Sequence, residues 1–139
     1  MKDLLKLENQ ICFPLYAFSR ELTNLYRPFL EEMDLTYPQY LVMLILWVEK
    51  QQTVNQLGEK LYLDSGTLTP LLKRMELKGM LMRKRSQTDE RMVIISLTDA
   101  GEKMKEKASC IPGKLVETLG LSIDELIQLK KIVNKAMKR

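Results

Sequence analysis

At 139 residues, with 29% charged and 45% hydrophobic side chains, the chain has the length and balance of one globular domain, residues 1–139. A formal charge of +4 and a pI near 9.0 make it mildly basic. Histidine is absent, which excludes His-based catalytic triads, the commonest general base and most zinc sites, and no cofactor or metal motif stands in for them.

The apolar run Tyr40–Val48 is too short to span a membrane. The start, Met-Lys-Asp-Leu-Leu-Lys, has no long apolar segment or small-residue cleavage site, so no secretion is expected. Two cysteines, Cys12 and Cys110, make no disulfide scaffold in a chain of this size. The expected compartment is the reducing cytoplasm, with no membrane partner.

Taken in order, Leu4, Leu7, Ile11, Leu15, Phe18, Leu22, Leu25 and Phe29 recur in steps of three and four, close to a heptad seam. They predict one long helix from Leu4 to Leu30, bent near Pro14 and ended by Pro28, of the kind that packs against a partner subunit. Thr36-Tyr37-Pro38 reads as a capped helix start, with Leu41, Leu44, Ile45 and Val48 as its buried face. Thr53 caps a short helix carrying Val54, Leu57 and Leu61.

From Leu63 to Arg91 lies the stretch around which the chain is organised. Asp64 or Ser65 caps a helix whose Leu68, Leu71, Leu72 and Met75 form one apolar stripe. Thr69, Lys73 and Arg74 occupy the opposite face, and Gly79 ends the helix. Pro70 lies beyond the first turn, so that turn is distorted or the helix starts nearer Gly66. Leu77 is off the stripe. Two short helices joined by a tight turn make a helix-turn-helix. Met80–Ser86 and Arg91–Leu97 then predict a two-stranded hairpin around a polar turn. Lys73, Arg74, Lys78, Arg83, Lys84, Arg85 and Arg91 crowd into this segment. Charge alone would suit a solvated basic face equally well; a helix followed by a basic-tipped hairpin favours a winged-helix DNA reader.

Beyond the hairpin, Thr98-Asp99 opens a Lys/Glu-rich helix that Ile111-Pro112-Gly113 breaks or bends. Ser122-Ile123-Asp124-Glu125 is a capping box, and Leu126, Leu129, Ile132, Val133 and Met137 form the apolar side of a last helix. The fold class is mainly α with a small β-hairpin wing. A winged helix-turn-helix at 36–97 is expected between dimerisation helices at 1–35 and 98–139, since the terminal helices have apolar faces that a homodimer would bury.

Leu-Asp-Ser-Gly-Thr-Leu-Thr-Pro-Leu-Leu-Lys-Arg-Met-Glu, then Arg-Lys-Arg-Ser and Asp-Glu-Arg, resembles the MarR family of dimeric winged-helix repressors. Leu-Glu-Asn-Gln-Ile-Cys-Phe near the start and Leu-Thr-Tyr-Pro-Gln-Tyr at Leu35–Tyr40 resemble its organic-hydroperoxide-sensing, OhrR-like branch. The resemblance implies that Cys12 is the peroxide-reactive thiol and that Tyr26 and Tyr37 stand at it, while Tyr16, four residues on, shares its helix face. Taken alone, Cys12 reads better as a small buried hydrophobe, and each tyrosine at least as well as amphipathic packing. Tyr26 lies about 21 Å along a straight helix from Cys12, so a meeting requires two subunits. Phenolic O–H groups donating to a thiolate would hold it for attack on a peroxide.

The branch further implies oxidation of Cys12 to a sulfenic acid, then condensation with Cys110 or with a low-molecular-weight thiol. Reduced dimers would bind a near-palindromic double-stranded operator and oxidised ones would leave it. Ser65, Thr67, Thr69 and Lys73 are the expected helix contacts, with Arg74, Arg83 and Arg85 on phosphates. The family's wing element falls on Asp89-Glu90-Arg91, where Arg91 would enter the minor groove and Asp89 would orient it. The alternative is a MarR-type regulator answering a small ligand or general oxidative stress, with virulence or metabolic targets. A thiol peroxidase is disfavoured by the lack of a CxxC pair, and no enzyme activity is expected.

Overall fold

The computed structural model describes residues 3–138. They form α1 (Cys12–Glu31), α2 (Tyr37–Glu49), β1 (Gln51–Thr53), α3 (Val54–Leu61), α4 (Ser65–Leu77), β2 (Leu81–Arg85), β3 (Val93–Leu97), α5 (Asp99–Ala108), α6 (Ile111–Leu119) and α7 (Ile123–Met137). The chain is mainly helical with one small antiparallel sheet, a winged helix-turn-helix. It divides into two compact units, Met1–Ala108 and Ser109–Arg139.

The seam of apolar residues from Leu4 onward is not one helix. Side chains take the backbone groups a helix would need: Leu5 N–H donates to Asp3 Oδ1 at 3.0 Å, and Gln10 Nε2 donates to the carbonyls of Leu4 and Lys6 at 2.7 and 2.9 Å. Only a 3-10 turn, Leu7–Asn9, results, and α1 starts at Cys12. Pro14 is therefore the third residue of α1, in the first turn where a missing N–H is tolerated, and the expected long helix bent there does not exist. Pro28 lies inside α1 and does not end it.

A corner follows in which the Leu30 carbonyl accepts both Met33 and Leu35 N–H, each at 3.0 Å, and Asp34 takes a left-handed φ of 54°. Thr36 and Gln39 form a capping box at the start of α2. The buried face of α2 is Tyr40, Val42, Met43, Leu46 and Trp47; Val48 is 73% exposed and Leu44 also lies open. The expected face was the wrong one because α2 is apolar nearly all round, and periodicity cannot choose a side of such a helix.

Thr53 and Gln56 make a second capping box on α3. The stripe Leu68, Leu71, Leu72 and Met75 of α4 is buried, whereas Leu77 is 87% exposed. The wing is three-stranded rather than two-stranded, with order β1-β3-β2 and Arg83 opposite Ile95. Ser86 N–H closes the hairpin on the Met92 carbonyl at 2.8 Å.

The base of the wing is locked from several sides. Gly79, at φ 77°, lets the chain leave α4. Thr98 Oγ1 donates to its carbonyl at 2.6 Å and accepts Gly101 N–H at 3.1 Å. Buried Trp47 Nε1 donates to the Gly101 carbonyl at 2.9 Å. A Cβ on Gly101 would fall on the Met80 carbonyl.

In the second unit Pro112 occupies the first turn of α6, so the Ile111-Pro112-Gly113 segment starts a new helix rather than bending α5. Ser122 and Glu125 cap α7, whose Ile123, Ile127, Ile132 and Met137 are exposed. Among the described residues no helix is long and apolar enough to cross a membrane.

Candidate nucleic-acid interface and thiol site

Asp64 caps α4. Its Oδ1 accepts Thr67 N–H at 2.7 Å, and this backbone bond, followed by one to the Thr67 side chain, holds the Asp64 carboxyl below its ordinary value. Pro70 sits in the interior of the helix, and Gly66, four residues earlier, carries the carbonyl that the proline ring would crowd. Ser65, Thr67, Lys73 and Arg74 are exposed along α4, and Thr69 is partly buried.

A cleft of about 240 Å³ joins α4 to the wing; Asn55, Ser65, Thr69, Arg91 and Val93 are among its walls. Three residues read from the sequence thus meet in one concavity. Asn55 was not among them. Its signal was the Thr53 cap, which places Asn55 in the exposed first turn of α3.

At the wing tip Asp89 Oδ1 accepts Arg91 N–H at 3.0 Å and lies 3.5 Å from Arg91 Nε, while the Arg91 side chain is 93% exposed. Arg85 Nη1 donates to the Glu90 carbonyl at 2.9 Å. Arg83 is engaged with Glu76 on α4, through its backbone N–H at 3.0 Å and its Nε at 3.2 Å. The Arg83 amide, then its side chain, holds the Glu76 carboxyl below its ordinary value.

Cys12 is the first residue of α1 and is exposed. One turn on, the Arg20 guanidinium stands 5.7 Å over the Tyr16 ring. At the other end of α1, Tyr26 packs on Tyr37 with ring centroids 4.7 Å apart, and Tyr40 lies 5.7 Å from Tyr26 and 6.3 Å from Tyr37. Burial, then the neighbouring phenols and a hydrogen bond with Tyr37, push Tyr26 up to about 12. Burial likewise raises Tyr37 and Tyr40.

The structure therefore unites Tyr26 with Tyr37 and adds Tyr40, whose signal was its i+3 spacing from Tyr37. Cys12 is not brought to them within one chain: Tyr26 lies fourteen positions farther along the continuous helix, about 21 Å. Cys110 belongs to the second unit, at the cap position of α6, and is exposed.

A family model described as transcriptional regulator SarA/Rot matches residues 24–108. The organic hydroperoxide resistance transcriptional regulator of Bacillus subtilis is 56% identical over 92% of this chain and 87% of its own length. The structure of reduced AbfR bound to DNA, a protein of Staphylococcus epidermidis, has a TM-score of 0.81 at 39% identity, covering 95% of this chain and 92% of that one. Overoxidized AbfR bound to DNA gives the same figures. A mutant MarR from E. coli, complexed with operator DNA, has a TM-score of 0.80 at 26% identity, covering 94% of this chain and 98% of that one.

Proposed function

We infer the function from one premise: the chain belongs to the MarR family of winged-helix transcriptional regulators, in its organic hydroperoxide resistance, OhrR-like branch. It is a redox-sensing DNA-binding regulator and not an enzyme. Beyond this, we propose a homodimeric, cytoplasmic repressor that holds a near-palindromic operator when reduced and leaves it after an organic hydroperoxide oxidises Cys12. Residues 36–97 bind the duplex, and 1–35 with 98–139 form the dimer.

The observation that carries this reading is the division of α1. An exposed thiol opens the helix, and a half-buried pair of hydrogen-bonded phenols sits about 21 Å away near its end. In a twofold dimer with antiparallel α1 helices, each Cys12 meets Tyr26 and Tyr37 of the other copy, with Tyr16 on the same face. Two recognition helices then enter successive major grooves, roughly 34–36 Å apart. Ser65, Thr67, Thr69 and Lys73 face the bases, Arg74 and Arg85 the phosphates, and Arg91, steadied by Asp89, the minor groove.

The chemistry is a transfer of one oxygen atom. The Cys12 thiolate attacks the terminal peroxide oxygen, the O–O bond breaks, and the departing alkoxide takes a proton to become an alcohol. The resulting sulfenic acid condenses with a second thiol, Cys110 or a small cellular thiol, releasing water and forming a disulfide. A DNA-bound overoxidized relative supports placing release at the disulfide rather than at a sulfinic or sulfonic acid. Moving the dimer from 99:1 bound to 1:99 requires about 5.5 kcal/mol of difference between the two forms, which a bulky group wedged into helix packing can supply.

The test is Cys12→Ser, followed by fluorescence anisotropy on an operator duplex with tert-butyl hydroperoxide and a small thiol added. The variant should bind as the native protein does and stay bound. Normal release by the variant would overturn the assignment, and release by a small aromatic acid without peroxide would favour a ligand-responsive regulator.

A further inference from the structure

Glu76 ends the polar side of α4, and Arg83 lies on β2, seven residues away across the turn at Gly79. They are joined twice, since the carboxylate accepts the Arg83 backbone N–H on Oε2 and its Nε on Oε1. β2 is an edge strand of the wing sheet, so its outward amides have no strand partner. Glu76 fills one of those positions. The pair is partly shielded, with the Arg83 side chain 25% exposed and that of Glu76 39%.

A carboxylate between the reading helix and the wing works against binding a polyanion on charge grounds alone. Its place is explained by what it holds. The wing is locked at its base by Thr98 and Gly79 and along β3 by β1, which pairs out to Ile94. These ties leave the free edge of β2 unsupported on the side of α4. The Glu76–Arg83 pair is an attachment on the opposite edge of the sheet from β1, joining β2 to α4 midway between the wing base and Arg85.

We propose that Glu76 and Arg83 form a clamp setting the position of the wing relative to α4, so that Arg83 serves DNA binding as a positioning residue through Glu76 and not as a phosphate ligand. This rests on the duplex-binding reading above. Arg83 thereby leaves the group of phosphate contacts expected from the sequence.

The two roles predict opposite signs and different salt responses. If Glu76 merely faced DNA, removing its charge would tighten binding; a clamp residue weakens it on removal. If Arg83 touched a phosphate, its loss would lower the slope of log K against log salt by about one. A positioning residue lowers affinity at unchanged slope.

The probe is a duplex selected from a random pool by the reduced native protein, titrated by anisotropy at several salt concentrations. Glu76→Ala and Arg83→Gln should each weaken binding by about three- to tenfold. The double variant should be no weaker than either single one, and the salt slope should stay at the native value. Tighter or unchanged binding by Glu76→Ala, additive losses, or a slope lowered in Arg83→Gln would each overturn the clamp. Should Glu76→Ala melt early, the slope of Arg83→Gln still decides. Failure of the native protein to select any duplex would sink the DNA-binding reading itself, a result distinct from an indifferent Glu76→Ala.

Discussion

The ammonium of Lys78 lies 2.6 Å from the backbone carbonyl oxygen of Asp34 and 3.5 Å from its carboxylate, fastening the end of α4 to the corner between α1 and α2. The same corner leads within three residues to Tyr37, a member of the phenol cluster. A displacement at the tyrosines thus has a short path to α4, the proposed reading helix. Lys78→Met should leave reduced-state affinity within about twofold of native, because the ion pair is exposed and weak in itself. The difference in affinity between reduced and oxidised protein should shrink. Anisotropy on both forms measures this, and an unchanged difference would show that the tie only supports the fold.

The raised Tyr26 sets an alkaline limit on stability. Its folded value of about 12 lies above the ordinary 10.0, so the folded state binds its proton more tightly than the unfolded chain does. The contribution is therefore complete below pH 10 and lost as pH climbs towards 12. Tyr26→Phe should flatten the fall in unfolding free energy across that window, as read from urea titrations at stepped pH. An equally steep fall in the variant would place the alkaline limit elsewhere.

Gly101 has room for hydrogen alone. Gly101→Ala places a methyl group on the Met80 carbonyl and disturbs the Trp47 and Thr98 bonds around it, so a loss of about 2–4 kcal/mol is expected. Urea unfolding followed by tryptophan fluorescence reports it directly, since Trp47 is the single tryptophan. A loss below about 0.5 kcal/mol, the range of ordinary surface substitutions, would mean that the wing base yields easily.

Arg91 is exposed and steadied by Asp89, and its removal should cost more than that of a lysine on the same face. Arg91→Ala is expected to weaken operator binding by about tenfold, and Asp89→Asn by less, since the guanidinium remains. Equal affinity of Arg91→Ala and native protein would remove the wing tip from the interface.

Local signals carried most of the fold. Thr36, Thr53, Ser122 and Asp64 all stand one residue before a helix, because a short side-chain oxygen that can satisfy a free N–H leaves a mark in the sequence itself. β1 left none: Gln51-Gln52-Thr53 has no apolar alternation and becomes a strand only by pairing with β3. The heptad seam overran the true start of α1 because hydrophobic spacing does not register the Asp3 and Gln10 side chains that capture the backbone before Cys12. At the candidate site, residue types and faces were readable, but commitments were not. Nothing in the spacing of Glu76 and Arg83 says that a carboxylate would reach the sheet edge.

The placement of Cys12 and Tyr26 at opposite ends of one helix has a genetic consequence. In the proposed dimer, a chain lacking the thiol and a chain lacking the phenols would each bind DNA without answering peroxide as a homodimer, yet they should complement each other when mixed. In a proposed dimer of one Cys12→Ser chain and one Tyr26→Phe/Tyr37→Phe chain, both lesions would fall in the same composite site. The other site keeps an intact cysteine from one chain facing intact tyrosines from its mate. Peroxide sensitivity regained on co-expression would thus arise from two defective alleles whose faults cancel by sharing a single pocket.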